Sequence, residues 1–263
     1  MKKVAVITGG SSGIGLCTAR DLAQRGITVY ELSRRETENE GINHISADIT
    51  DPEKVKGAVK EVMEKEGRID ILINNAGFGI SGAAEFTENE DAKGLLEVNL
   101  FGMVNMVKEI IPIMRAQGYG RIVNLSSVAG IAPIPFQTWY SVTKAAVNSY
   151  TMALANEVRP FGIEVCAVMP GDIKTGFTAA RKKSEKGDDI YSGRIKRSVA
   201  GMEKDEINGI SPEVAGAYIC KTALRKRVKV LSCIGFTYKF LSVLIKHLPG
   251  SFVNKILYFM YAK

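Results

Sequence analysis

Acidic residues run out early in this chain: none follows Glu213, whereas nine cations do, Lys221, Arg225, Lys226, Arg227, Lys229, Lys239, Lys246, Lys255 and Lys263. A basic end of this kind suits an anionic lipid surface, an anionic substrate, or plain solvation. Nothing resembling a nucleic-acid-binding module accompanies it, so nucleic acid is not expected as a partner. Histidine is almost missing, with His44 and His247 alone, and the four cysteines Cys17, Cys166, Cys220 and Cys233 lie far apart without C-x-x-C spacing. No metal-ligand set and no disulfide framework follow from that pattern, and the thiols are expected to be free in a reducing compartment. Internal repeats and low-complexity tracts are lacking too. The short apolar run after Met1-Lys2-Lys3 ends in Thr8-Gly9-Gly10, a turn and not a cleavage site, so a cytoplasmic protein is expected.

What is present is the composition of a globular protein, 46% hydrophobic and 24% charged over 263 residues. Apolar runs at 4–8, 27–32, 69–73, 121–125 and 163–168 alternate with long helix-period segments such as 14–24, 52–65 and 90–115. Strands alternating with helices imply right-handed crossovers and a parallel sheet covered on both faces, a doubly wound α/β fold. Between about 176 and 210 the periodicity weakens into polar, basic and glycine-containing sequence, which reads as a lid over a site. Ser211-Pro212-Glu213 then starts a helix, with Ser211 as N-cap, and a last strand is expected near 228–232. We expect one catalytic domain over 1–235 and an amphipathic, basic, helical extension over 236–263.

Three local patterns carry chemistry. Thr8-Gly9-Gly10-Ser11-Ser12-Gly13-Ile14-Gly15 lies between the first strand and first helix, where glycines let backbone approach a pyrophosphate and the helix start offers N–H groups to it. At the end of the second strand stand Ser33, Arg34 and Arg35, flanked by Glu31 and Glu36; cations at that tip suit the 2′-phosphate of NADP(H). Tyr140 and Lys144, four residues apart on one helix face, bring an ammonium near a phenol, so the tyrosine pKa is expected to fall and the hydroxyl to serve as general acid or base.

Taken with Asn74-Asn75-Ala76-Gly77 and with Ser127 thirteen residues before Tyr140, these motifs resemble the short-chain dehydrogenase/reductase family over roughly residues 3–232. The resemblance implies a single Rossmann domain and an NADP(H)-dependent oxidoreductase acting on CH–OH groups, with Asn99, Ser127, Tyr140 and Lys144 as the catalytic set. The family spacing selects Ser127 over its neighbour Ser126 as the group that holds the substrate oxygen. It further implies that Asn99 supplies a backbone carbonyl to a water beside Lys144. Asp48 and Ile49 would hold adenine, Asn75, Ala76 and Gly77 would line the ribose, and Pro170, Gly171, Ile173 and Thr175 would meet the nicotinamide. A homodimer or homotetramer is implied as well, and no metal.

Within the family, segments 75–82, 130–139 and 171–177 look most like the branch holding 17β-hydroxysteroid and retinol dehydrogenases. That implies a hydrophobic ketone or secondary alcohol, steroid-, retinoid- or lipid-like, with Ile134, Phe136 and Phe177 among the residues around it. A 3-oxoacyl thioester reductase is the competing enzyme, because Arg181, Lys182, Lys183 and Arg194 could meet an acidic carrier protein; a non-catalytic NADP-binding protein ranks lower. The extension, with Phe240, Leu241, Leu244 and Leu248 and then Phe252, Val253, Ile256, Leu257 and Met260 at helical spacing, is too punctuated to span a bilayer. A pocket flap, a subunit contact and a peripheral membrane contact all remain open for it.

Overall fold

The structure is a computed structural model that describes residues 2–263. Strand β1 (Val4–Thr8) is buried at every position and sends Val4 and Val6 to one face of the sheet, Ala5 and Ile7 to the other. Burial on both faces is what a parallel sheet between helical layers requires. Around it lie β2 (Thr28–Ser33), β3 (Ile42–Ser46), β4 (Ile71–Asn74), β6 (Gly120–Leu125), β7 (Ile163–Met169) and β9 (Leu231–Cys233), and a separate two-stranded ladder joins β5 (Ile80–Ser81) to β8 (Lys182–Lys183). The main sheet is parallel with order β3-β2-β1-β4-β6-β7-β9. Strand order reverses between β1 and β4, and a doubly wound sheet opens its ligand crevice at such a switch, beyond the carboxyl ends of the strands.

Helices α1 (Gly13–Gln24) and α8 (Pro212–Leu224) cover one face through Ala19, Leu22, Ala215 and Ile219. The other is covered by α2 (Pro52–Glu66), α4 (Met103–Gln117) and α5 (Thr138–Glu157) through Val55, Val59, Met106, Ile110 and Leu154. Local signals set where these helices begin. The Asp51 carboxylate accepts from the Glu53 and Lys54 amides ahead of α2, and the Ser211 hydroxyl accepts from the Val214 amide ahead of α8, each with proline in the first turn.

Four features differ from the sequence expectations. Strand β3 went unforeseen, because Ile42-Asn43-His44-Ile45-Ser46 is a half-exposed edge without a continuous apolar run. The segment 90–115 is not one helix: α3 (Asn89–Leu96) passes through a π-helical turn, Glu97–Gly102, into α4. The last strand starts at Leu231, three residues later than expected. The lid region is well structured, with α6 (Phe177–Ala180), β8 and α7 (Arg194–Ile207), whose Ile195, Ser198 and Met202 form a buried stripe at helical spacing. Ile195 and Met202 join Ala83, Phe136 and Ala262 in a third apolar cluster beneath the lid. The extension is helical as expected, α9 (Phe236–His247) and α10 (Gly250–Tyr261), broken at Leu248-Pro249.

Candidate active site

At the crevice the β1–α1 turn is clamped to the end of β4. The Thr8 hydroxyl accepts from the Asn75 and Ala76 amides at 3.0 and 3.1 Å, and Asn75 Nδ2 donates to the Thr8 and Gly9 carbonyls, both at 3.0 Å. Only glycine fits at position 15, since a Cβ there would stand 2.3 Å from the Gly9 carbonyl oxygen. Ser12 caps α1 without using its side chain, so the N-terminal amides of α1 and the exposed Ser12 hydroxyl stay available. Ser11 and Gly13 share this rim, Ile14 turns inward against the core, and Thr175 approaches Gly13. An amide-lined helix start of this type fits a pyrophosphate.

The tips of β2 and β3 lie beyond β1, on the side away from β4. Arg34 and Arg35 are exposed there. Burial would raise the Asp48 carboxyl, but hydrogen bonds from the Thr50 amide and hydroxyl, with Arg34 and Lys54 nearby, hold it below its ordinary value. Ile49 packs over Gly102 and its carbonyl accepts from Asn105 Nδ2 at 3.0 Å. Glu31, one of the two acids that flank the arginines in the sequence, is turned inward. It is 1% exposed, and one carboxylate oxygen accepts from the Ser33 hydroxyl at 3.2 Å, the Thr37 hydroxyl at 2.9 Å and the His44 ring. Those partners tie down the 33–37 loop that carries both arginines. Sequence inspection missed this network because His44 sits on the strand it did not recognise.

Ser127, Tyr140, Lys144 and Asn99 converge at the carboxyl ends of β4 and β6. Asn99 is buried in the π-turn, with Oδ1 accepting from the Phe78 amide at 3.0 Å and Nδ2 donating to the Phe78 carbonyl at 2.9 Å. Its side chain is thus spent on the chain just past Gly77, and the open side of Gly77 faces both Asn99 and Lys144. Lys144 is 6% exposed; its Nζ donates to the Leu125 carbonyl at 2.9 Å and stands 5.6 Å from the Tyr140 ring centre. Burial pushes the Lys144 ammonium down to about 8.

The expected lowering of the tyrosine pKa by Lys144 is not what the structure shows. Burial pushes the Tyr140 phenol up to about 12; the adjacent Ser127 hydroxyl and the Arg181 guanidinium oppose that rise and Glu206 adds to it. Lys144 lies over the ring face and is held by a carbonyl, so desolvation outweighs it. At neutral pH Tyr140 is therefore a protonated donor with a basic conjugate.

Phe177 is the substrate candidate that meets Tyr140, with ring centres 5.8 Å apart. Ile134 and Phe136 belong instead to the cluster under the lid, where Phe136, at φ 60°, packs edge-on against Tyr191. On the far side of Phe177 stands Arg181, its guanidinium 5.8 Å from the ring centre. Arg181 is 4% exposed, pairs with Glu206 through one nitrogen, and leaves Nε and Nη1 buried without a hydrogen-bond partner. Glu206 also accepts from the Thr178 hydroxyl, and with Thr175 and Thr178 it borders a cavity of about 300 Å³.

Pro170 and Gly171 follow β7 into the crevice, and Ile173 is pinned there by a parallel bridge to Ile210. The tail enters at the same place. A Cβ on Gly171 would stand 2.2 Å from the Tyr238 ring of α9, and Tyr238 donates its hydroxyl to the Asp172 carboxylate while accepting from the Asp172 amide at 3.2 Å. Glu206 and Tyr238 carried no local signal, and Arg181 stood out only as one of four basic residues open to an acidic carrier protein; each matters through a contact 25 or 66 residues away in the chain.

These features match known proteins along almost the whole chain. The family model described as short chain dehydrogenase matches residues 3–186. A 3-ketodihydrosphingosine reductase from Bacteroides thetaiotaomicron is 43% identical over 236 residues, covering 89% of this chain and 88% of its own length. Among solved structures, a short-chain dehydrogenase from Streptomyces avermitilis superimposes with a TM-score of 0.84 at 30% identity, covering 98% of this chain and 96% of that one. ElxO with NADP bound gives a TM-score of 0.77 at 28% identity, over 92% of this chain and 100% of that one. The clamped glycine turn, the Ser127–Tyr140–Lys144 group and these likenesses agree: the chain belongs to the short-chain dehydrogenase family and is an NAD(P)-dependent oxidoreductase acting on CH–OH groups.

Proposed function

We propose that this enzyme is an NADP(H)-dependent reductase of a long-chain amino ketone of the 3-ketodihydrosphingosine type. The carrying observation is the buried Arg181–Glu206 pair near Tyr140, set beside the apolar side chains of Phe177 and the lid cluster. Such a substrate has a hydroxyl, an ammonium and a ketone on three successive carbons, followed by an alkyl chain. Glu206 suits the ammonium, the unpartnered Arg181 nitrogens suit the hydroxyl oxygen, and the apolar wall suits the chain. The 43% identical relative supports the same class. A steroid or retinoid, the other hydrophobic options, would offer less to Arg181 Nε and Nη1, which have no hydrogen-bond partner in the protein. The carrier-protein alternative is weakened because the lid cations are engaged: Lys182 with Asp91 at 2.6 Å, Lys186 with Glu88 at 3.0 Å, Lys183 with Glu203. The proposed partners are this substrate, a second copy of the chain in a homo-oligomer, and a membrane surface where the substrate resides. A cytoplasmic location is supported by four free cysteines.

In this reading Ser127 and Tyr140 hold the ketone oxygen and Tyr140 passes its proton to it. When bound, the nicotinamide supplies the hydride. Arg181 and Lys144 offset the charge left on the phenolate. Asn99, its side chain occupied by Phe78, has its backbone carbonyl to offer a water that restores the proton through Lys144. Gly9 through Gly15 take the pyrophosphate, Arg34 with Arg35 the 2′-phosphate, Asp48 and Ile49 the adenine, and Asn75, Ala76 and Gly77 the ribose. Pro170, Gly171, Ile173 and Thr175 flank the nicotinamide.

Five outcomes are expected. NADPH oxidation should be faster with 3-ketodihydrosphingosine than with a 3-oxoacyl thioester, and Glu206→Gln should raise KM for the amino ketone roughly tenfold while sparing its amine-free counterpart. An equal effect on both ketones removes Glu206 from recognition, and preference for the thioester overturns the substrate reading. Tyr140→Phe should abolish turnover and leave NADPH binding, followed by fluorescence, nearly unchanged. Because the Lys144 ammonium titrates near 8 and the phenol much higher, kcat/KM for reduction should fall as pH rises through about 8; a profile flat to pH about 10 would contradict the relay. Arg34→Ala should weaken NADPH binding roughly tenfold or more and leave NADH binding as it was, measured by titration calorimetry.

A further inference from the structure

Helices α9 and α10 are apolar on both sides, which a helix at a water-facing surface is not. Their inner stripes are accounted for. In α9 Tyr238 reaches Asp172, and in α10 Leu257 and Tyr261 turn inward, with Tyr261 and the following Ala262 joining the cluster of Phe136 and Ile134. Their outer sides are equally apolar and face solvent: Phe236 is 86% exposed, Phe240 61%, Phe259 53% and Met260 62%. Ten of the eighteen large apolar side chains exposed among the described residues fall in this last tenth of the chain. Contiguous exposure on that scale marks a contact surface.

We propose that the outer side of α9 and α10 docks on an anionic lipid bilayer. Charge selects this occupant. Lys239, Lys246 and Lys255 belong to these helices, Lys263 follows them, and the segment contains no acid, so a second copy applied through a two-fold axis would set lysines against lysines. An anionic headgroup layer complements that pattern, with lysines at headgroup level and phenylalanines below. Each helix has 12 residues, about 18 Å, and no helix of the described residues is long and apolar enough to cross a membrane, so the pair lies in the interface. The Arg225–Lys229 cluster takes no part: it precedes β9, at the end of the sheet opposite to α9. Because the inner side of the same helices touches Gly171 and the lid cluster, the docked surface lies directly against the substrate and nicotinamide region. Delivery of a membrane-dissolved ketone from that surface rests on the substrate reading above; the docking itself does not.

Flotation of the full-length protein with phosphatidylglycerol or phosphatidylcholine vesicles tests this. The wild type should float with the anionic vesicles and stay behind with the zwitterionic ones. Phe236→Ser/Phe240→Ser/Met260→Ser and Lys246→Glu/Lys255→Glu should each lose flotation, the charge variant by at least about thirtyfold in partitioning. Both should keep wild-type turnover of a water-soluble short-chain ketone, which shows that they are folded. Absence of wild-type flotation, equal flotation with both lipids, or variants that float as before overturn the proposal. So does a dimer, seen by light scattering, that the apolar variant dissolves without any vesicle binding. Flotation of an enzyme that turns over no long-chain ketone leaves the docking standing and overturns the substrate reading.

Discussion

The site hangs on one close approach, the seating of the β1–α1 turn against the start of the segment after β4. Four hydrogen bonds join Thr8 and Gly9 to Asn75 and Ala76 across that gap, and Gly15 leaves space for it. These bonds satisfy backbone groups at two strand ends at once, so the geometry is stiff. The chain leaving Asn75 then passes Gly77 to Phe78, where the Asn99 side chain grips it, and Asn99 lies beside Lys144 across the space over Gly77. A single chain of short contacts therefore fixes the distance from the pyrophosphate end of the crevice to the ammonium.

Along that crevice the protein buries two cations and balances each differently. Lys144 has a carbonyl partner and no carboxylate, so its charge is expensive and its proton loosely held. Arg181 carries a guanidinium, by its chemistry a permanent cation, and Glu206 offsets it. Tyr140 lies between the two behaviours: its phenol stays protonated, and the permanent cation is the one that tempers its rise. The pairing of a labile and a permanent cation explains how a neutral phenol can act as donor without becoming trapped as the phenolate.

The sequence made legible those parts of the site whose residue types are dictated locally. A turn that backbone must approach needs glycine, a phenol and an amine on one helix face need spacing four, and Ser211 with Pro212 announces a helix. What escaped notice depends on partners distant in the chain. Strand β3 is an edge whose polar residues give no periodic signal. Arg181 sits in a basic stretch that reads as a contact for an acidic carrier protein, and only the fold brings Glu206 to it. Tyr238 meets Asp172 across 66 residues, so the extension, for which three roles stood open, packs against the chain that leaves β7. The expectation about the tyrosine pKa failed for a related reason: spacing fixes that the two groups are near, whereas desolvation depends on everything else around them.

The π-turn at Glu97–Gly102 has a consequence for the phase of the chain. Such a turn accommodates one residue more than an α-helical turn does, and each α-helical residue advances the side-chain direction by about 100°. In sequence, however, Ala92, Leu95, Asn99, Met103, Met106, Val107 and Ile110 all fall within about 120° of one another at 100° per residue, so the apolar rhythm runs through the π-turn unbroken. The extra residue that accompanies the inward turn of Asn99 is thus invisible in the hydrophobic rhythm of 90–115 and legible only in the backbone hydrogen-bonding of the turn itself.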